Sequence, residues 1–500
     1  MSESKGALTT ELRIVQGRPT LFVNGRPHHR IFCSTPARYM RNFIDAGFDV
    51  FDTHPNTPHG WVGPGEYDYT ETDARIESYL DQKPDALLIL RFWIGQDQKK
   101  HWGTPWWSFQ NPDETLRTTA DGAALDKPSF ASLKWRVAAG EALRRAVEHI
   151  EAKYGQNILA YVPGGGPCGE WFHWYAYAEQ SNWEKPGAPA LEDYSAPMKA
   201  AYREYLQEKY GTIGALNRAW DGEYPSFDAV QLPSPEARLG ATEGHLRCLP
   251  REQGLVDFYE IFNRVVADTL VDWAAQVKRG CGGNKVVMVF YGYQWASHMG
   301  LNQPRTGHID MDAVLNSPDV DYIVAPINYS FRQLDGVMSG QAVVAGPIRR
   351  GKQYMHELDG STFLKACWPC RDHHNPADAA QTGELMRRDL GKALVEDSTV
   401  WYMDLMHGMY DDPGLVSELR RALQVGKEHS FSAGANDRQV AVVLNSRDSF
   451  YYREGEPLLH SLTCMFKQFE LERMGLGYDD LILDDLNALG PEETAQYKLW

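Results

Sequence analysis

Eight apolar, β-rich runs recur along this chain, with helix-like stretches between them. They lie at 30–34, 49–53, 86–93, 158–163, 285–291, 322–327, 353–357 and 399–405. Several are almost wholly apolar, as strands of a parallel sheet are when both faces are covered. The clearest intervening helix spans 128–154. Ala138, Leu143, Ala146, Val147 and Ile150 recur there at helical spacing, and Gly155 supplies a stop. A second spans 250–279, with Val256, Phe258, Ile261, Val265, Leu270 and Trp273 on one side. Eight strands alternating with helices over about 400 residues predict an α/β fold, a (β/α)8 TIM barrel with long insertions. A doubly wound open sheet is the rival. It brings a glycine-rich phosphate loop at its first strand-to-helix turn, and this sequence has none there.

The ends read differently. Residues 1–29 form a small β-hairpin segment, with turns at Gln16-Gly17 and Asn24-Gly25. The catalytic barrel is expected over 30–432, and a boundary falls in the SAGAND stretch at 432–437. Residues 438–500 read as the beginning of a second α/β domain, truncated here because about 65 residues fall below the usual size of such a unit. Within it, 458–474 reads as a helix carrying Leu459, Leu462, Met465, Phe466 and Phe469. So short a unit cannot bury those side chains alone. The barrel, further chain or another subunit must cover them.

Composition narrows the function. The 43% hydrophobic and 23% charged fractions are those of a globular protein. A net charge of −17 argues against nucleic acid and anionic membrane as partners. No 18-residue apolar run and no secretory h-region is found, and seven scattered cysteines fit a reducing, cytoplasmic setting.

Two glutamates carry the chemistry. Glu170 closes ILAYVPGGGPCGEW (158–171) at the end of the fourth run, and Glu357 closes KQYMHELDG (352–360) at the end of the seventh. Carboxylates at the C-terminal ends of barrel strands lie on the functional face. Two of them across one pocket are what glycosidic cleavage requires: one to protonate the leaving oxygen, one to attack the anomeric carbon or activate water.

Several stretches resemble glycoside hydrolase family 42, the β-galactosidase family of clan A. GFDVFDTHPN (47–56) with GPGEYDYTETDARIESYL (63–80) resembles the second strand and its continuation. KPSFASLKWRVAAGEALRRAVEHIEAKYG (127–155) resembles the helix before strand four. KYGTIGALNRAWDGEYPSFD (209–228) is close to a KYGTIEALNRAWG segment, and VAVVLNSRDSFYY (440–452) resembles the start of the trimerisation domain, of flavodoxin/amidotransferase-like type. The resemblance implies a retaining exo-glycosidase, β-galactosidase-like, with Glu170 as acid/base and Glu357 as nucleophile about 5–5.5 Å apart. It further implies that Arg91 stands near the nucleophile and holds it ionised, that Tyr329 hydrogen-bonds it, and that the protein is a homotrimer.

Two positions depart from the family pattern. Gly169 stands where clan A enzymes carry the asparagine that binds the sugar 2-hydroxyl. Strand eight lacks the family's galactose-gripping glutamate and histidine, for which Asp404 and His407 are the candidate substitutes. Both departures bear on the sugar more than on the reaction, and mannoside, glucoside, fucoside or arabinoside specificities stay open. So does a non-catalytic carbohydrate-binding role, against which the intact glutamate pair argues. Further substrate-binding candidates are His54 after strand two, Trp171 beside Glu170, and Trp368 after strand seven; His59 and Trp61 follow strand two on the same face. Cys367 and Cys370 with His373 form a lone CxxC that lacks a second pair for a zinc site. GGGPCG lacks the lysine of a phosphate loop. No metal or organic cofactor is called for, and the expected partner is a carbohydrate.

Overall fold

A computed structural model describes residues 8–54, 56–94, 111–173, 193–240, 244–296, 303–367, 375–430, 438–453, 458 and 461–500. Eight parallel strands close into a barrel in chain order: Ile31–Thr35, Val50–Thr53, Leu87–Arg91, Ile158–Val162, Val286–Phe290, Tyr322–Pro326, Gln353–Leu358 and Thr399–Met403. The eighth pairs back onto the first, with Trp401 opposite Phe32. The strands fall within a few residues of the apolar runs. Val286–Phe290 shows why such runs are legible, since each of its residues is buried.

The helices pack outside. Leu133–Tyr154 starts later than its sequence pattern suggests, because residues 124–128 pair as a strand with Leu116–Thr118. Ser132 then caps the helix, its hydroxyl accepting from Trp135 N. The long helix Gln253–Gly280 buries Phe258, Ile261, Val265, Leu270 and Trp273 against this helix and the barrel.

The N-terminal hairpin is a three-stranded antiparallel sheet, Thr10–Val15, Arg18–Val23 and Arg26–Pro27. Its two turns have positive φ at Gln16, Gly17, Asn24 and Gly25, the conformation that asparagine and glycine accept most readily. At the other end Ala441–Leu444 pairs in parallel with Asp479–Ile482. Charge ties this segment to the barrel. Asp480 accepts from Val344 N and Ala345 N at 2.8 and 3.0 Å, and Lys467 pairs with it at 2.9 Å. Arg349 pairs with Asp479 at 2.7 Å.

The helical stretch over 461–471 is wound in wide turns, tightens over 472–474, and faces the opposite way from its apolar pattern. Cys464, Lys467 and Gln468 are buried, whereas Leu462, Phe466 and Phe469 are 59%, 49% and 38% exposed. The reason is electrostatic: the buried Asp480 requires the lysine, so the polar side turns inward. Leu459 lies outside the described residues. No helix among the described residues is long and apolar enough to cross a membrane.

Candidate active site

The C-terminal mouth of the barrel gathers the two glutamates. Arg91, the last residue of strand three, donates from Nη2 to Glu170 Oε1 at 3.0 Å and to the Cys168 carbonyl at 3.0 Å. Its Nη1 lies 3.8 Å from Glu357 Oε2. One planar guanidinium touching both carboxylates keeps the oxygens it touches no more than about 9 Å apart, below the upper limit that glycosidase pairs use. Arg91 itself lies over the Phe290 ring at 4.1 Å, the inward residue ending strand five. The arginine therefore serves both carboxyls and is nearer Glu170, where the sequence placed it beside Glu357 alone.

Glu357 is the deeper of the two, its side chain 4% exposed against 12% for Glu170. Strand register puts Trp401 directly beside Glu357, and the indole Nε1 donates to Glu357 Oε2 at 3.1 Å. Tyr293, just after strand five, donates its hydroxyl to Glu170 Oε2 at 3.2 Å. Burial pushes both carboxyls above the ordinary range, Glu357 further, and Arg91 opposes this at each; the charge of Glu170 adds to the rise at Glu357. One cation between two buried carboxyls favours a state with one proton and one negative charge. Below them Asp52 accepts from Ser34 Oγ at 2.6 Å, and burial pushes it up to about 6.

The remaining expected residues divide. Tyr329 stacks under the Arg332 guanidinium at 4.5 Å, and Arg332 pairs with buried Asp359 at 2.6 Å, two residues past Glu357. The charges of Asp359 and Glu170 bear on its hydroxyl. His54 is 6% exposed at the end of strand two and lies edge-on to His407 at 5.7 Å. Burial, then Arg91 and His407, push it down to about 3, so it is a neutral imidazole. His407 accepts at Nδ1 from Arg38 Nη2 at 2.9 Å.

Two candidates are corrected. Asp404 is 1% exposed, and its carboxylate accepts from Thr35 Oγ1, Gly408 N and Met409 N at 3.2, 2.9 and 2.8 Å, so it braces the loop after strand eight instead of facing a sugar. Trp171 is fully buried between Trp273 and Phe130, its indole donating to the Pro163 carbonyl; it packs barrel to helix. Trp368, Cys370 and His373 lie outside the described residues, while Cys367 is buried.

Position 169 is crowded rather than closed: a side chain there needs the Trp93 ring to give by a few tenths of an ångström. Gly169 has φ +70°, and a Cβ there would stand 3.3 Å from the Trp93 ring. Tyr293, Trp401, Asp359 and Arg332 were not singled out from the sequence. Trp401 sits inside the apolar run TVWYM, which reads as core; only the register with Glu357 gives it a second role.

Among the described residues one His/Asp cluster has metal-ligand spacing: His28, His29 and Asp49, at the N-terminal ends of strands one and two. It does not fit a metal. His29 Nδ1 accepts from Ile31 N at 3.3 Å, so Nε2 keeps its hydrogen and donates it to Asp49 at 2.9 Å.

The Glycosyl hydrolase family 14 model matches residues 135–287, a stretch containing strand four and Glu170. A β-amylase from Cytobacillus firmus is 28% identical over 94 residues, 17% of this chain and 20% of that protein, so the chain matches a fifth of that curated relative's length. The β-galactosidase of the psychrophilic Marinomonas ef1 superposes with TM-score 0.61 at 16% identity, covering 94% of this chain and 71% of that one. A catalytic mutant of a family 42 β-galactosidase from G. stearothermophilus gives 0.57 at 12%, over 94% and 66%. The catalytic domain of β-amylase from Paenibacillus polymyxa gives 0.56 at 12%, over 79% and 98%. Together they define a (β/α)8 barrel of the glycoside hydrolase kind. In fold the chain is similar to these β-galactosidases and to the β-amylase catalytic domain.

Proposed function

We propose that the protein is a retaining exo-glycosidase that removes a terminal β-linked sugar, with β-galactosides the first candidates. The observation that carries this reading is the pair Glu170 and Glu357 held on one Arg91 at the barrel mouth. Glu357, deeper and hydrogen-bonded by Trp401, attacks the anomeric carbon while Glu170, nearer solvent, gives its proton to the leaving oxygen. Glu170 then takes a proton from the water that attacks C1 and releases the sugar from Glu357. Burial raises both carboxyls, Glu357 further, and Arg91 opposes this at each, so the resting pair shares one proton; the reaction needs that proton on Glu170 and the charge on Glu357, where the Trp401 N–H, a donor only, is placed to receive it.

A second reading has its own support. The curated sequence matches are to β-amylases, and the family 14 model spans the Glu170 segment, which favours an amylase-like hydrolase. A panel of nitrophenyl β-glycosides beside maltooligosaccharides decides between them, with proton NMR of the first anomer released. Retained β-sugar from an aryl glycoside supports the first reading. Cleavage of the glucan alone supports the second, and cleavage of neither contradicts both.

A homotrimer belongs to the same proposal, and the exposed Leu462, Phe466 and Phe469 support a face covered in an assembly. Light scattering giving three times the 56.6 kDa chain mass supports it, and one chain mass contradicts it. A reducing, cytoplasmic setting is supported by the six described cysteines, all free. A disulfide in protein purified under non-reducing conditions would contradict it.

A further inference from the structure

We propose that His308, which follows strand five, is the positioning residue that sets Glu170 against Tyr293. Its ring bridges two loops. Nε2 faces the Glu170 carbonyl oxygen at 2.9 Å, and Nδ1 faces the backbone N–H groups of Gly292 and Tyr293 at 3.0 and 3.3 Å. An N–H can only donate, so Nδ1 carries the lone pair and Nε2 the hydrogen. The imidazole is thus a neutral clip with a defined tautomer, accepting from the strand-five turn and donating to the strand-four loop. A protonated ring would set an N–H against two others, and burial among Phe172, Tyr291 and Tyr293 at 4.4, 4.9 and 4.7 Å disfavours that charge as well.

The clip closes a loop of contacts on the acid/base. The Glu170 main chain is fixed to His308, and His308 to the Tyr293 main chain. The Tyr293 hydroxyl returns to the Glu170 carboxyl at 3.2 Å. His308 is itself held: its N–H donates to Thr306 Oγ1, and its carbonyl accepts from Gln294 Nε2, both at 3.2 Å. It is 1% exposed and touches no reacting atom. Its consequence falls first on the proton donor, which the clip touches directly, whereas Glu357 is oriented by Trp401 and meets Glu170 only through the shared Arg91. A displacement of about 1 Å at a catalytic group can lower a rate about a hundredfold.

The kinetic consequence rests on the glycosidase reading; the tautomer does not. Two measurements separate them. With 15N-histidine in the full chain, the signal lost in His308→Phe reports the ring. The clip predicts the neutral Nε2–H tautomer at pH 7, and an Nδ1–H or doubly protonated ring overturns it. His308→Phe keeps the stacking and removes all three ring hydrogen bonds; His308→Gln can still donate to the Glu170 carbonyl. Turnover of aryl glycosides with poor leaving groups is expected to fall about 10- to 100-fold in His308→Phe, with KM and good-leaving-group substrates little changed, and His308→Gln recovers part of the loss. An equal fall for both leaving groups, or no fall, overturns the positioning role. If the wild type cleaves no aryl glycoside, the exo-β-glycosidase reading fails and the kinetic claim with it, while the ring signal still decides the clip.

Discussion

Arg91 and Glu170 are joined at 3.0 Å, and the same guanidinium reaches Glu357 only at 3.8 Å. A single buried cation therefore balances a pair of carboxyls that burial alone would keep protonated. Arg91→Met removes it and raises both groups further. The form with an ionised nucleophile then exists only at higher pH. The acidic limb of the kcat/KM profile should move up by about one unit or more. An unmoved limb would separate Arg91 from the charge state of the pair.

Trp401 tests the deeper carboxylate. Its indole N–H is a hydrogen bond to Glu357 that Trp401→Phe deletes while keeping an aromatic ring. A hydrogen bond to a charged group contributes about 1.5–3 kcal/mol, so kcat should fall at least about tenfold. Unchanged kcat would mean that the indole fills the barrel core and nothing more.

The pair should also weaken the fold. The folded-state pKa of Glu357 is raised above its unfolded value, so ionising it opposes folding at pH above that folded value, and the penalty is relieved as pH falls through it. Glu357→Gln removes the charge and should raise Tm at pH 7.5 by about 2 °C, with a smaller gain at pH 5. A lower Tm at pH 7.5 would contradict this electrostatic account.

Asp404 should behave as a structural residue. Its three accepted hydrogen bonds are buried, so Asp404→Ala leaves unpaired donors and should cost about 2–4 kcal/mol of stability, with KM of the folded fraction unchanged. A tenfold rise in KM at unchanged stability would return Asp404 to the sugar site.

The sequence was most legible where physics is local and repetitive. Parallel barrel strands are covered on both faces, so runs such as Val286–Phe290 announce themselves, and the ends of runs four and seven point to Glu170 and Glu357. Residues that act by meeting across strands were not legible. Trp401 looks like core until the register sets it beside Glu357, and Tyr293 and His308 stand in turns with no motif of their own. Trp171 misled because an aromatic next to a candidate acid suggests a pocket wall, yet its φ of +63° accompanies a ring turned inward to Trp273. The stretch over 461–474 misled because its partner, Asp480, lies on a strand that helical periodicity cannot see.

The most direct test of the central claim is azide rescue of Glu357→Ala on an aryl β-glycoside that the wild type cleaves. A nucleophile cannot be spared whatever the leaving group, and azide can enter the space the carboxylate leaves. The account predicts negligible turnover without azide and an α-glycosyl azide with it, whereas Glu170→Ala yields the β-azide. Wild-type turnover in Glu357→Ala, or the opposite pair of anomers, would contradict it.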